Sequence, residues 1–328
     1  MKIASLKEGR DGKLVVVSSD LKRMASAEGI APTMQAALDN WAEIAPKLQK
    51  RWEALEGDSV AGNPFDPTKC AAILPRCYHW ADGSVYLNHM ELVRKSRGAT
   101  MPESFLTDAL IYQGGSDILL GACDDIPVID EDWGIDLEAE VAVITDDVPM
   151  GVSADDAPSH IVLVLLANDV SLRNLIPGEL GKSFGFYQSK PPTAFSPVAV
   201  TPAALGDFWD GRKLLGRVTA TTNGKVLGDP DAGVDMYFDF GQLIAHAAKT
   251  RPLGAGTIIG SGTISNRDPA HGSTCIAEVR TIETIEQGEP KMPYLKFGDT
   301  VRIEMMDNEG KSIFGAIDQK VVQFTPKR

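Results

Sequence analysis

Residues 136–144, DLEAEVAVI, place two glutamates one residue apart inside an otherwise apolar run. Read as a strand, the run alternates its faces: Leu137, Ala139, Val141 and Val143 line one, while Glu138 and Glu140 stand together on the other. Their Cα atoms are then about 7 Å apart, so the two carboxylates repel each other unless something positive sits between them.

The segments around this run share its β character. AEVAVIT, IVLVLLAND, SPVAVTP, GRVTATTNGKVLGD, TIIGSGTIS, STCIAEVRTIE and DTVRIEMMD all read as strands, and Asn223–Gly224 suits the type I′ turn of a hairpin. One later stretch, MYFDFGQLIAHAAKT, reads as a helix with Phe240, Leu243, Ile244 and Ala247 on one side. Upstream, residues 1–25 read as two short strands around the turn EGRDGK. A single helix is expected from an N-cap at Thr33 to a stop at Gly57, with Met34, Ala37, Leu38, Trp41, Ile44 and Leu48 at helical spacing. SVAGNPFDPTK reads as a linker and places a boundary near residue 75. No regular strand–helix alternation and no repeat is present. The expectation is an α+β, β-rich chain with a small N-terminal domain over 1–75 and a mixed-sheet domain over 76–328.

Composition narrows the partners. Of 328 residues, 43% are hydrophobic and 23% charged, as in an ordinary globular protein. A net charge of −13 and the absence of any Lys/Arg block argue against nucleic acid. No apolar run is long enough to span a membrane, and the N-terminal stretch lacks the pattern of a signal peptide, so a cytoplasmic protein is expected. Four scattered cysteines (Cys70, Cys77, Cys123 and Cys275) suit neither a disulfide framework nor a Cys-x-x-Cys zinc site.

Three places set acids beside apolar sequence. Glu138 and Glu140 share a strand face, Asp169 ends IVLVLLAND, and Asp82 lies seven residues before His89. Oxygen ligands without a His/Cys cluster favour a hard cation, Mg²⁺ or Ca²⁺, with Mn²⁺ as a third candidate. An E-x-E on a strand is more often a solvated face, and a lone His89 more often a surface or satisfied core histidine, so spacing alone leaves both readings open.

The ordered set WADGSVYLNHMELVRKSRG, DALIYQGGSD, DLEAEVAVI, NDVSLRN, QSKPPTAFSP and GSGTISN resembles the fumarylacetoacetate hydrolase family over roughly residues 76–328, as in its bacterial members. The resemblance implies a mixed β-sheet or β-roll catalytic domain, a homodimer and one divalent cation held by Asp82, Glu138, Glu140 and Asp169. It implies His89 as general base, and Arg97 (with Arg94 as its competitor), Tyr112 and Thr263 as residues that bind substrate. Arg173 matches the site arginine of the family's ND-x-S-x-R motif. The resemblance implies Lys190 as the site lysine, because it keeps the family's distances from Asp169 and to the following Ser-Pro, with Lys182 as its competitor. Two positions depart from the family. Ile176 stands where a substrate-contacting glutamine is expected, and Ile276 falls at the glutamate that orients the histidine, leaving Glu278, two residues on with the same strand parity, as the candidate. The implied activity is hydrolysis of a C–C bond in a ketonic substrate, a small anionic diketo acid such as fumarylacetoacetate, at the end of tyrosine and phenylalanine breakdown. The alternatives are an acylpyruvate hydrolase, an oxaloacetate decarboxylase, an isomerase or hydratase of aromatic catabolism, or a metal-stabilised binding protein.

Overall fold

The computed structural model describes residues 1–95 and 100–326. The DLEAEVAVI run sits at the centre of it. Strand Ala139–Thr145 pairs antiparallel with Ile161–Asn168 on one side and with Ile258–Gly260 on the other. Both of its faces are buried. Ala139, Val141 and Val143 enter one hydrophobic core, while Ala142 and Ile144 enter a second with Trp80, Leu163 and Leu165. The face that carries Glu140 is therefore interior, and the residue is fully buried.

These strands belong to an eleven-stranded sheet. Its path runs from 63–64 through 23–26, 13–17, 2–6, 199–200, 161–168, 139–145, 258–260 and 80–84 to 110–113, with 194–195 paired to 161–168 off the path. Among the described residues, the pairing of Ile258–Gly260 with Trp80–Ser84 is the one parallel strand pairing in it. The N-terminal strands extend this sheet through Lys2↔Val200 and Ile3↔Ala199, and their inner residues Ile3, Leu14 and Val16 fill the second core. A second, five-stranded sheet runs in the order 225–228, 218–222, 300–305, 317–323 and 126–128. No helix among the described residues is long and apolar enough to cross a membrane.

Several expected elements hold. The Asn223–Gly224 turn joins Thr222 to Lys225 with both central residues at positive φ, the left-handed pair that a type I′ turn needs. Helix Phe240–Ala247 starts with a capping box between Asp239 and Gln242. Others differ. The expected helix after Thr33 is two helices, Met34–Leu38 and Trp41–Glu56, because the chain leaves helical geometry at Asn40 (φ −137°, ψ 39°). The expected linker includes Asn63–Pro64, an edge strand on Arg23–Ser26. Strand Ile317–Gln323 was not expected from the sequence.

The most consequential difference is STCIAEVRTIE. Its β-branched residues suggest a strand, yet Ile276–Gln287 is a helix. Cys275, at its N-cap, makes no side-chain capping bond. The cap comes from Asp136 instead, whose carboxylate accepts the amides of Ile276 (2.7 Å) and Ala277 (2.8 Å) from 140 residues earlier in the chain. No local pattern could have shown that.

Candidate metal centre and active site

Three strands of the large sheet bring three acids together. Asp82 lies on Trp80–Ser84, Glu140 on Ala139–Thr145, and Asp169 immediately after Ile161–Asn168. One oxygen of each lies within 4.8 Å of the others, and all three residues are buried. Between the first two strands runs Ile258–Gly260, whose Gly260 pairs with both Asp82 and Ala142. A Cβ on Gly260 would overlap Asp82 Oδ1 and the Trp80 ring, so glycine here makes room for the carboxylate. Two residues on, Gly262 turns at φ +78° and donates its amide to Asp82 Oδ1 at 3.0 Å.

The three acids are unequally satisfied. Asp169 accepts from Thr193 Oγ1 (2.7 Å), Tyr112 Oη (2.6 Å) and Lys190 Nζ (2.6 Å). Glu140 is fully buried and neither of its oxygens finds a donor. Only a proton shared with Asp82 could bridge these two acids. Burial first, then the charge of Asp169, pushes Asp82 well above the usual carboxylate range; burial and then Asp82 do the same to Glu140. An ionised, unpartnered carboxylate at such depth costs several kcal/mol, and a divalent cation is the group that removes that cost. The all-oxygen donor set fits a hard ion.

Glu138 stands apart from this triad. Its oxygens accept from Arg173 (2.7 Å) and Lys190 (2.6 Å). Burial alone would raise its pKa, but those two cations outweigh burial and hold it below its ordinary value. The mutual repulsion expected of Glu138 and Glu140 is thus answered on one side by protein cations. Lys190 bridges Glu138 and Asp169; burial would lower its pKa, and these two carboxylates more than reverse that. Lys182 is exposed and touches none of these acids. Lys190 and Arg173 thus pair with Glu138 and Asp169, whereas among the described residues no cation pairs with Asp82 or Glu140.

Arg173 is also held by Asp136, whose Oδ2 accepts Nε at 2.8 Å. The same carboxylate therefore caps helix Ile276–Gln287 and fixes the arginine. Asp136→Asn weakens both, and we expect a loss of about 1.5–3 kcal/mol in chemical denaturation, the usual worth of a hydrogen bond to a charged group. An unchanged midpoint would show that Asp136 anchors neither.

His89 and Glu278 meet across two helices. His89 lies in Leu87–Lys95 and Glu278 in the first turn of Ile276–Gln287, not on a strand as the sequence suggested. His89 Nδ1 is 3.0 Å from Glu278 Oε2, while Glu278 Oε1 accepts from Ser265 Oγ at 2.8 Å. A buried carboxylate held by Ser265 on one side and facing the imidazole on the other fixes the orientation of the ring.

A cavity of about 920 Å³ opens onto Asp82, Glu138, Glu140, His89, Arg173 and Lys190. Tyr112, Thr263 and Ile176 line it as well. The Tyr112 ring packs edge-on against Phe186 (5.2 Å), and burial above all pushes its hydroxyl up, so that it stays a donor to Asp169. Arg97 lies outside the described residues. Arg94, its neighbour in sequence, stacks over Phe105 at 4.6 Å on the cavity wall. Residues that sequence reasoning missed are Thr193, Asp136, Ser265 and Arg280. The first three act as hydrogen-bond partners of site residues, and Arg280 lines the cavity stacked on Tyr294 at 4.4 Å. Asp136 had a signal, as a charge opening a buried run; the others had none.

The raised acids give a sign to the cation's effect. In the cation-free protein, Asp82 and Glu140 hold protons that the unfolded chain releases, so stability falls as pH rises from the ordinary carboxylate range toward their raised values. Glu138 is shifted the other way, and its contribution is lost only in more acidic solution. A bound cation abolishes the penalty. Its stabilising effect should therefore grow from about pH 5 to about pH 8, read as the difference in Tm with and without Mg²⁺. A difference independent of pH would place the ion elsewhere.

Comparison with known proteins adds the following. The family model described as fumarylacetoacetate (FAA) hydrolase C-terminal matches residues 78–322, and that of fumarylacetoacetase N-terminal domain 2 matches residues 1–76. No curated protein sequence matches the chain. Among solved structures, the fumarylacetoacetate hydrolase of Exiguobacterium antarcticum is similar with a TM-score of 0.68 at 16% identity. Maleylpyruvate hydrolase from Sphingobium sp. SYK-6 gives 0.67 at 15%. The 5-carboxymethyl-2-hydroxymuconate delta-isomerase of Mycobacterium smegmatis gives 0.59 at 15%. Each similarity covers 99% of this chain and 100% of the other. The Sphingobium enzyme has also been solved with manganese(II) and pyruvate. At these identities the likeness establishes the fold.

Proposed function

This chain belongs to the fumarylacetoacetate hydrolase family, and from that premise we propose that it hydrolyses a C–C bond in a small anionic 1,3-diketo acid with the help of one divalent cation. Fumarylacetoacetate is the first substrate to assay, acylpyruvates such as maleylpyruvate the second. The observation that carries the reading is His89, held by Glu278, on the wall of the cavity that the unpartnered Glu140 also lines. A cation site alone suits many reactions; an oriented imidazole beside it suits hydrolysis.

Asp82, Glu140 and Asp169 would hold the ion, which when bound supplies Lewis acidity toward the paired oxygens of a diketone. His89 takes a proton from water, whose oxygen attacks the carbonyl carbon. Glu278 keeps the ring aligned and offsets the imidazolium charge. The C–C bond then breaks, its electron pair staying with the leaving ketone carbon, and the proton on His89 is returned to that carbon. Lys190 and Arg173 keep positive charge where the substrate becomes more negative, and burial has already stripped them of water. Tyr112 and Thr263 orient the substrate on the cavity wall. A purely cation-driven decarboxylation needs no water-activating base, so His89→Ala separates it from hydrolysis.

The test is metal-stripped protein with fumarylacetoacetate, then with maleylpyruvate, to which Mg²⁺, Mn²⁺ or Ca²⁺ is added in turn. Loss of the diketone absorbance that depends on the cation and yields two carboxylic-acid products supports the proposal. Turnover without any C–C cleavage product, or no turnover with either class, would overturn it.

A further inference from the structure

The proposed chemistry leaves one neighbour of its base unused. Cys275 is fully buried, and its Sγ, a ring nitrogen of His89 and a carboxylate oxygen of Glu278 lie within 4.8 Å of one another. The thiol is not needed to cap the helix it begins, because Asp136 does that. Ser265 holds one oxygen of Glu278 and leaves the other facing His89, as outer partners do for a metal ligand. Among the described residues this is the second of two such groups, and its donors differ in kind from the first. The acid triad offers oxygen only, whereas this one offers sulfur, nitrogen and oxygen. Thiolate and imidazole prefer Zn²⁺ or Co²⁺ to Mg²⁺ or Ca²⁺.

We propose that His89, Cys275 and Glu278 form a second cation site, selective for Zn²⁺-like ions, whose occupation stops the enzyme. Thiolate and carboxylate together neutralise a divalent ion, which makes its burial tolerable. Three protein ligands leave a fourth position for water or solute, as in open zinc sites. Binding exchanges the thiol proton for the ion, so one proton is released per ion bound. Burial, reinforced by Asp136, keeps the free thiol protonated, so without a suitable cation Cys275 stays inert. An imidazole and carboxylate committed to a cation cannot also take a proton from water. That inhibitory consequence rests on the function proposed above; the binding itself does not.

The experiment titrates Mg²⁺-saturated protein with Co²⁺ and follows the near-ultraviolet thiolate-to-cobalt absorption. One equivalent should give the band, Zn²⁺ should displace it, and Cys275→Ala should abolish it. His89→Ala should weaken binding by about 100-fold or more, beyond the ~10–100-fold typical of outer-shell partners. With a diketo-acid substrate, Zn²⁺ should inhibit in a way that excess Mg²⁺ does not reverse. Cys275→Ala should relieve that inhibition with basal turnover unchanged. Should the alanine variant not fold, Cys275→Ser retains the volume and removes the thiolate. No thiolate band, a band that survives in Cys275→Ala or Cys275→Ser, or inhibition competitive with Mg²⁺ would overturn the proposal. If no diketo acid is turned over at all, the cobalt band still decides whether the site exists.

Discussion

Glu140→Gln protein should show no rise in Tm on addition of Mg²⁺ or Mn²⁺, and its turnover should fall by ~10³-fold or more. The reason lies in the electrostatics of one side chain. Glu140 is the buried acid with no donor on either oxygen, so the ion has more to gain there than at Asp169, which already has three partners. Removing its charge takes away several kcal/mol of stabilisation at the reacting oxygens, and about 4 kcal/mol corresponds to ~10³-fold in rate. The native protein at a cation concentration about 100-fold above Kd should gain about 2.7 kcal/mol, several degrees in Tm. The cation-free variant should be more stable than the cation-free native protein, since the charge it lacks is one that burial and Asp82 oppose. Scanning calorimetry with and without the ion reads both signs. A variant that kept the cation-induced shift would remove Glu140 from the site.

His89→Ala should separate binding from chemistry. Its Tm should still rise with the cation, because His89 is not among the three acids, yet hydrolysis should fall by ~10²–10⁴-fold, the usual contribution of a positioned general base. Glu278→Gln should fall less far, because the amide can still meet the ring without offsetting its charge. Steady-state kinetics at saturating Mg²⁺ measure the loss. Turnover unchanged in His89→Ala would assign the reaction to the cation alone and favour decarboxylation.

Much of the site is legible in the chain itself because its members are set by short-range spacing. Glu138 and Glu140 alternate with Val141 and Val143 on a strand, and the acid at the end of IVLVLLAND is costly anywhere but a paired position. Seven residues carry the chain from Asp82, on a strand, to His89, on the helix that follows. The ordered motifs of the family supply which acids act together, and the distances between them choose Lys190 over Lys182.

What the chain could not show is partnership at long range. The periodicity of DLEAEVAVI determined a strand with an acidic face; only the second core, filled by Ile3, Leu14 and Trp80, made that face interior and its charge expensive. Spacing grouped Glu138 with Glu140, yet the fold divides them, giving one to Lys190 and Arg173 and leaving the other without a donor. The segment after Cys275 looks like a strand by its β-branched residues and is a helix because a carboxylate 140 residues away caps its first amides. Local pattern records what a residue prefers among its neighbours in sequence. Burial, caps and the pairing of charges depend on neighbours in space, and these arise only when distant strands pack.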